Sequence, residues 1–211
     1  MLKVGLTGGM ACGKSFVAAE LGRLGCHVIE ADEVGHAVLE PGGEAYDAVV
    51  AAFGGSILDD NGRIDRARLG ERVFAAPDQL AKLNDLVHPA VRRRALREFA
   101  EIGARDPHAV VIYVAAILIE SGAYKEVDKI IVVGCERAQQ IERAMHRPDA
   151  TEARVLARLE SQMSLEKKKE FADYIIDTSG AREETLRQTE MVYRDLKRLS
   201  AQAGGSVVRG E

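Results

Sequence analysis

Five short apolar runs rich in Val or Ile punctuate the chain, at Leu2–Thr7, His27–Asp32, Ala109–Leu118, Lys129–Cys135 and Tyr174–Thr178. Four of them lack strict alternation of apolar and polar positions, as strands buried on both faces do, and longer helical patterns separate them. This predicts an α/β fold with a five-stranded parallel sheet between layers of helices. The intervals are unequal. One helix separates the first two runs, whereas Glu33 to His108 separates the second from the third, too long for a simple crossover. Amphipathic segments around Tyr46–Phe53, Arg66–Phe74, Gln79–Leu86 and Ala90–Ile102, with a turn signal at Asp59–Gly62, make that stretch a mostly helical insertion. Within it, His88 precedes Pro89 at what reads as a helix start.

A second insertion, Glu136–Phe171, is rich in Arg, Lys and Glu and is broken by Arg147–Pro148–Asp149. Proline there ends one helix, and Asp149 or Thr151 can cap the next, which predicts a charged helical hairpin. Glu183–Leu199 reads as a last helix, and 203–211 as a frayed tail. The predicted organisation is a core from 1–32, 109–135 and 172–202, a helical domain at 33–108, a lid at 136–171 and the tail.

At 211 residues, 46% hydrophobic and 29% charged, the chain can bury one sizeable core, and one compact molecule is the expectation. A net charge of −4 argues against holding nucleic acid or anionic lipid on a broad basic surface, so a bound anion must be gripped locally. Cys12, Cys26 and Cys135 form neither a CxxC pair nor a zinc-type spacing, which fits a reducing compartment. Without a signal-peptide pattern or a long apolar stretch, the expectation is a soluble, cytoplasmic protein with neither nucleic acid nor membrane as partner. Nothing in the sequence assigns an oligomeric state.

Between the first strand and the first helix stands Gly8-Gly9-Met10-Ala11-Cys12-Gly13-Lys14-Ser15, a full match to GxxxxGK[ST]. Such a loop turns backbone N–H groups inward around a phosphate and ends at the positive end of a helix. It predicts a P-loop fold that binds a nucleoside triphosphate, with Lys14 reaching the β- and γ-phosphates and Ser15 ligating Mg²⁺. Motors, GTPase switches and kinases share the loop. No guanine-reading NKxD sequence is present, and Asp59-Asp60-Asn61-Gly62 sits in a turn, so a kinase with a lid fits better.

Further cues run from Leu2 to about Leu196. They include Val4-Gly5-Leu6-Thr7-Gly8-Gly9, Glu30-Ala31-Asp32, Phe53-Gly54-Gly55, Asn61-Gly62-Arg63-Ile64-Asp65, Leu83-Asn84, His88-Pro89, Leu118-Ile119-Glu120-Ser121-Gly122, Arg143 with Arg147, Gln162, Ala172-Asp173 and Ile176-Asp177. In order and spacing the chain resembles the dephospho-CoA kinase family. The resemblance implies transfer of the ATP γ-phosphoryl to the ribose 3′-hydroxyl of dephospho-CoA, the last step of coenzyme A biosynthesis. It also implies a nucleotide core, a CoA-side helical domain and a lid. Ala11, Cys12 and Phe16 depart from the Gly, Ser and Thr common in the family's loop. Ala116 replaces a frequent proline, and Thr178 replaces an asparagine common near the adenine pocket.

On this reading residues 8–16 (Gly8, Gly9, Met10, Ala11, Cys12, Gly13, Lys14, Ser15 and Phe16) and Thr178 bind the nucleotide, while Ser15 and Asp32 serve the metal. Asp32, expected at a strand's carboxyl end, orients or deprotonates the acceptor hydroxyl; its alternative is a helix N-cap. Arg143 with Arg147, and Arg154 with Arg158, are i,i+4 pairs that could bring cations to the moving phosphoryl group, the first pair preferred, or could form a solvated face. His88 is a candidate contact to the acceptor, and so more weakly is Glu120; Glu120 and Lys167–Lys169 read chiefly as fold-stabilising or solvent-facing. Cys12 admits two readings, a thiol facing the phosphate site with raised reactivity or a small buried filler beneath the loop. A nucleoside or nucleotide monophosphate kinase and a nucleotide-dependent switch are the rival functions.

Overall fold

A computed structural model describes residues 1–74, 76–146 and 150–205. The chain divides into two compact units, one built from Met1–Ile29 with the chain from Glu101 on, the other from Glu30–Ala100.

The first unit holds the sheet. Strands β1 (Leu2–Gly8), β2 (His27–Glu30), β3 (Val110–Val114), β4 (Lys129–Gly134) and β5 (Tyr174–Asp177) lie in the order β2-β3-β1-β4-β5. β1 pairs in parallel with β3 and with β4, and β4 with β5. The central strands are buried nearly throughout, which is why their sequences lack alternation. The edge strands are partly open, with Val28 and Ile175 exposed. On one face Val4 and Leu6 of β1 and Ile131 and Val133 of β4 pack with Val17 and Leu21 of α1 (Lys14–Arg23) and with Val192 and Leu196 far along the chain. Each fully buried side chain of this kind contributes roughly 1.5–3 kcal/mol. The chain runs from β1 toward β2 on one side and from the neighbouring β3 toward β4 on the other, and open α/β sheets bind ligands at the strands' carboxyl ends at such a point. The apolar run predicted at Ala109–Leu118 leaves the sheet after Val114, and Leu118 is buried outside it.

The second unit is helical. It contains α2 (Ala31–Val38), α3 (Tyr46–Phe53), α4 (Arg66–Phe74) and most of α5 (Pro77–Arg105). Phe53, Val49, Ile57, Leu69, Val73 and Ala90 form its core. The turn expected at Asp59–Gly62 is present: Asp59 Oδ1 accepts from the N–H groups of Asn61 and Arg63, beneath a Leu58–Ile64 bridge. One local expectation is overturned. Pro89 does not start a helix but lies within α5, which joins the two segments expected on either side. Leu80, Leu83, Leu86 and Val87 before the proline, and Ala90 and Val91 after it, belong to one hydrophobic cluster. That shared burial outweighs the roughly 3 kcal/mol cost of a proline in a helix interior.

Beyond β4 come α6 (Arg137–Met145), α7 (Glu152–Glu160) and α8 (Leu165–Lys169). Thr151 caps α7, its hydroxyl accepting from Arg154 N at 3.3 Å. The expected break at Arg147–Pro148–Asp149 lies outside the described residues. The final helix, α9 (Arg182–Gly205), runs past Leu199 into the segment expected to fray, and residues 206–211 lie outside the described ones. Its continuation is anchored at Ser200, buried, whose hydroxyl donates to His108 O at 2.8 Å.

Candidate active site

Residues 9–13 link β1 to α1. Gly8 has φ 156°, and a Cβ there would lie 2.1 Å from Val133 O, so only glycine lets the chain leave the sheet here. Ala11 (φ 58°) and Gly13 (φ 80°) both lie in the left-handed region, a backbone pattern that turns N–H groups into a concave anion cradle. For Ala11 this conformation costs on the order of 1 kcal/mol, held against strain by its surroundings. Gly13 is the N-cap of α1, so no side chain caps that helix, and its first turn carries no acidic residue. The positive end of α1 is thus offered to an anion. Lys14 folds back over the loop, its ammonium donating to Gly8 O at 3.1 Å and Gly9 O at 2.8 Å. Ser15 is exposed in the first helical turn. The Arg182 guanidinium stands 5.7 Å from the centroid of the Phe16 ring. These features fit a nucleotide's phosphates and a divalent ion bound with them.

Of the two readings of Cys12, the structure has the buried one. Cys12 is fully buried, and Met10, on the other side of half-buried Ala11, is buried too, packed with Ala144 of α6 and Val155 of α7. Gln140 Nε2 donates to Cys12 Sγ at 2.6 Å, and the Cys135 thiol donates to the same sulfur at 3.8 Å. Burial, with the Cys12 thiol beside it, pushes the Cys135 thiol up to about 11. Thr178, buried, packs beneath the loop rather than standing open: its hydroxyl lies 3.0 Å from Cys12 O and 3.2 Å from Gly134 O as donor. Arg143 forks onto Thr178, donating to Oγ1 at 3.2 Å and to O at 2.8 Å. Arg154 and Arg158 are exposed on α7, and Arg147 lies outside the described residues.

Asp32 follows the last residue of β2 by two positions, at that strand's carboxyl end, and is not the N-cap of the helix that begins there. Glu30 occupies the N-cap position of α2 without a side-chain bond to the helix, and Asp32 is exposed in the first turn. His88 is exposed along α5. Glu120 is engaged by protein groups: it accepts from Met163 N at 3.0 Å and lies 3.0 Å from the ammonium of Lys168. Burial works to raise the Glu120 carboxyl, but backbone N–H groups and Lys168 outweigh it and hold it below the usual range. Of the two readings of the Lys167–Lys169 run, Lys168 takes the fold-stabilising one, fully buried with Nζ 2.5 Å from Ala116 O, while Lys167 and Lys169 face solvent.

Residues 2–184 match the family described as dephospho-CoA kinase. The chain belongs to the dephospho-CoA kinase family. It is an ATP-dependent kinase that phosphorylates a hydroxyl, and the known role of this family is the last step of coenzyme A biosynthesis. Among relatives, the dephospho-CoA kinase of Geobacillus kaustophilus is 46% identical over 89% of this chain and 92% of its own length. Among solved structures, the dephospho-CoA kinase of Campylobacter jejuni has a TM-score of 0.72 at 26% identity, covering 93% of this chain and 97% of that one. A Thermus thermophilus structure reaches a TM-score of 0.78 at 28% identity, covering 92% and 97%. Among the described residues, no helix of this dephospho-CoA kinase family member is long and apolar enough to cross a membrane.

Two features escaped the sequence reading. Gln140 is a polar residue at a buried helical position, one turn before buried Ala144 and three residues before Arg143; that spacing was the available signal. The other is a cleft of about 160 Å³ beside the loop, lined among others by Gly9, Gln140, Gln162, Met163 and Ser164. Gln162 Oε1 is buried there without a hydrogen-bond partner in the structure, an acceptor available to a ligand's donor.

Proposed function

We propose that this enzyme transfers the ATP γ-phosphoryl to the ribose 3′-hydroxyl of dephospho-CoA by positioning and charge neutralisation, with the loop at residues 8–16 as its nucleotide site. The observation that carries this is the concave loop with Lys14 folded over it at the uncapped start of α1. Backbone N–H groups of the loop hold the phosphates. Lys14, which bonds to carbonyls of its own loop, exchanges them for the β- and γ-phosphate oxygens as charge develops. Ser15, exposed in the first turn, and Asp32 are the residues that would hold Mg²⁺, which would supply neutralisation of phosphate charge. Asp32 accepts a hydrogen bond from the 3′-hydroxyl and aims its oxygen at the γ-phosphorus, taking the proton as the new P–O bond forms and the bond to the β–γ bridging oxygen breaks, releasing ADP. His88 contacts the acceptor. For the moving group the sequence pattern offers Arg147 beside Arg143, which is engaged by Thr178, and the exposed Arg154 and Arg158 of α7 are further candidates. The cytoplasm, where ATP and a coenzyme precursor meet, is the compartment this activity suits.

The test is an acceptor panel of dephospho-CoA, adenosine, AMP, CMP and shikimate with Mg²⁺-ATP, run on the wild type, Lys14→Ala and Asp32→Asn. The expected result is phosphorylation of dephospho-CoA alone. Lys14→Ala should lose at least about 10²-fold in kcat, and Asp32→Asn should keep ATP binding while losing most turnover. Preferred phosphorylation of AMP or CMP would instead make this a nucleotide monophosphate kinase, and an active Asp32→Asn would leave Asp32 without its role.

A further inference from the structure

The grip of α6 on the phosphate loop goes beyond what the family motif requires. Gln140 and Arg143 lie three residues apart and so share one face of the helix. Both act on Cys12. Gln140 reaches the sulfur directly, and its amide also fills the space beside Gly9, where a Cβ would lie 2.3 Å from Nε2. Arg143 reaches Cys12 through Thr178, whose hydroxyl donates to the Cys12 carbonyl while accepting from the guanidinium. The helix is itself anchored: Gln139 Nε2 donates to Ser179 O at 2.8 Å, and Glu136 N donates to Ser179 Oγ at 3.2 Å. On the other side of Ala11, Met10 packs with Ala144 and Val155. The two neighbours of the one non-glycine residue with positive φ among the described residues are therefore both pinned by the helices that follow β4.

We propose that Gln140 and Arg143 are positioning residues that hold the phosphate loop in its phosphate-binding conformation by clamping Cys12. This assigns Arg143 a task other than touching the transferred phosphoryl group. A left-handed alanine persists only where its surroundings over-determine it, and a loop freed to relax at Ala11 would turn its N–H groups out of register. The proposal rests on the loop being the nucleotide site, as read above.

The decisive experiment measures ADP and ATP dissociation constants by calorimetry alongside kcat for Gln140→Ala, Arg143→Ala and the double variant, with Lys14→Ala in parallel. Thermal unfolding confirms that each is folded at the assay temperature, and Arg143→Lys, which keeps the charge but breaks the fork, stands in should Arg143→Ala not fold. Each single variant is expected to weaken ADP and ATP equally, by about tenfold, the equivalent of one hydrogen bond, with kcat at saturating ATP changed less than about twofold. The double variant should weaken binding by less than the product of the singles, because both act on one residue. Unchanged ADP affinity in the single variants would overturn the proposal. So would a kcat loss beyond about tenfold in Arg143→Ala or Arg143→Lys with ADP binding intact, which would make Arg143 a contact to the transferred phosphoryl group. A Lys14→Ala variant with normal turnover would instead remove the loop as the nucleotide site, a failure distinct from that of the clamp.

Discussion

Lys168 shows what one buried charge demands. Its side chain has no exposed surface, and its ammonium is met by Ala116 O and by Glu120, whose carboxylate is part exposed. A buried cation stripped of its counter-charge costs several kcal/mol, whereas removing the charge itself costs less. Glu120→Gln is therefore expected to destabilise the fold by about 2–3 kcal/mol, discounted for the solvent around the carboxylate. Lys168→Met should lose less in the same urea titration; equal losses would mean that packing, not charge, governs the site. The pH dependence has a fixed sign. Glu120 is held below its ordinary range in the folded state, so its contribution is complete above the unfolded value of about 4.3 and disappears as pH falls through the lower folded value. The stability gap between wild type and Glu120→Gln should accordingly be constant near neutrality and narrow below about pH 4. As a substrate contact, Glu120 would have to leave Lys168, which is one reason its position beside that lysine reads more readily as structural.

At the scale of elements, α5 and α6 depart most from what local rules suggest. Pro89 interrupts the hydrogen-bond ladder of α5 at an exposed position, while apolar residues on both sides share one core. Pro89→Ala restores a donor and should raise stability by about 1 kcal/mol, the helix gain being partly offset by a less restricted unfolded chain. Differential scanning calorimetry should register this as a Tm higher by a few degrees. A lower Tm would show that α5 is built around the irregularity the proline makes. The periodicity of residues 79–102 made both halves of this helix legible, but whether a proline ends a helix or is absorbed by it depends on what packs on either side. In α6 the amphipathic pattern was plain, yet the partners of Arg143 were not, since Thr178 is 35 residues away in sequence.

For the whole molecule, nucleotide binding and stability are linked. ATP with Mg²⁺ at 100 times its dissociation constant should stabilise the folded protein by about 2.7 kcal/mol, raising Tm by roughly 5–10 °C in a chain of this size. Lys14→Ala should show a much smaller rise at the same concentration; an equal rise would place ATP elsewhere than the loop. The sequence by itself determined the five strands, their parallel sheet and the phosphate loop. Each is written in contiguous residues whose pattern follows from burial on two faces or from the backbone turns that a phosphate cradle needs. The order of the glycines, Lys14 and Ser15 carries its chemistry with little help from the rest of the chain. Tertiary structure alone decided that Cys12 is buried, that Thr178 and Arg143 hold it from below, that Gln140 wedges against the loop and that Lys168 is sealed with Glu120. Those outcomes join residues 35 to 166 positions apart. The reason is physical: a side chain's type limits the partners it can accept, but which partner arrives is set by the packing of distant elements around it.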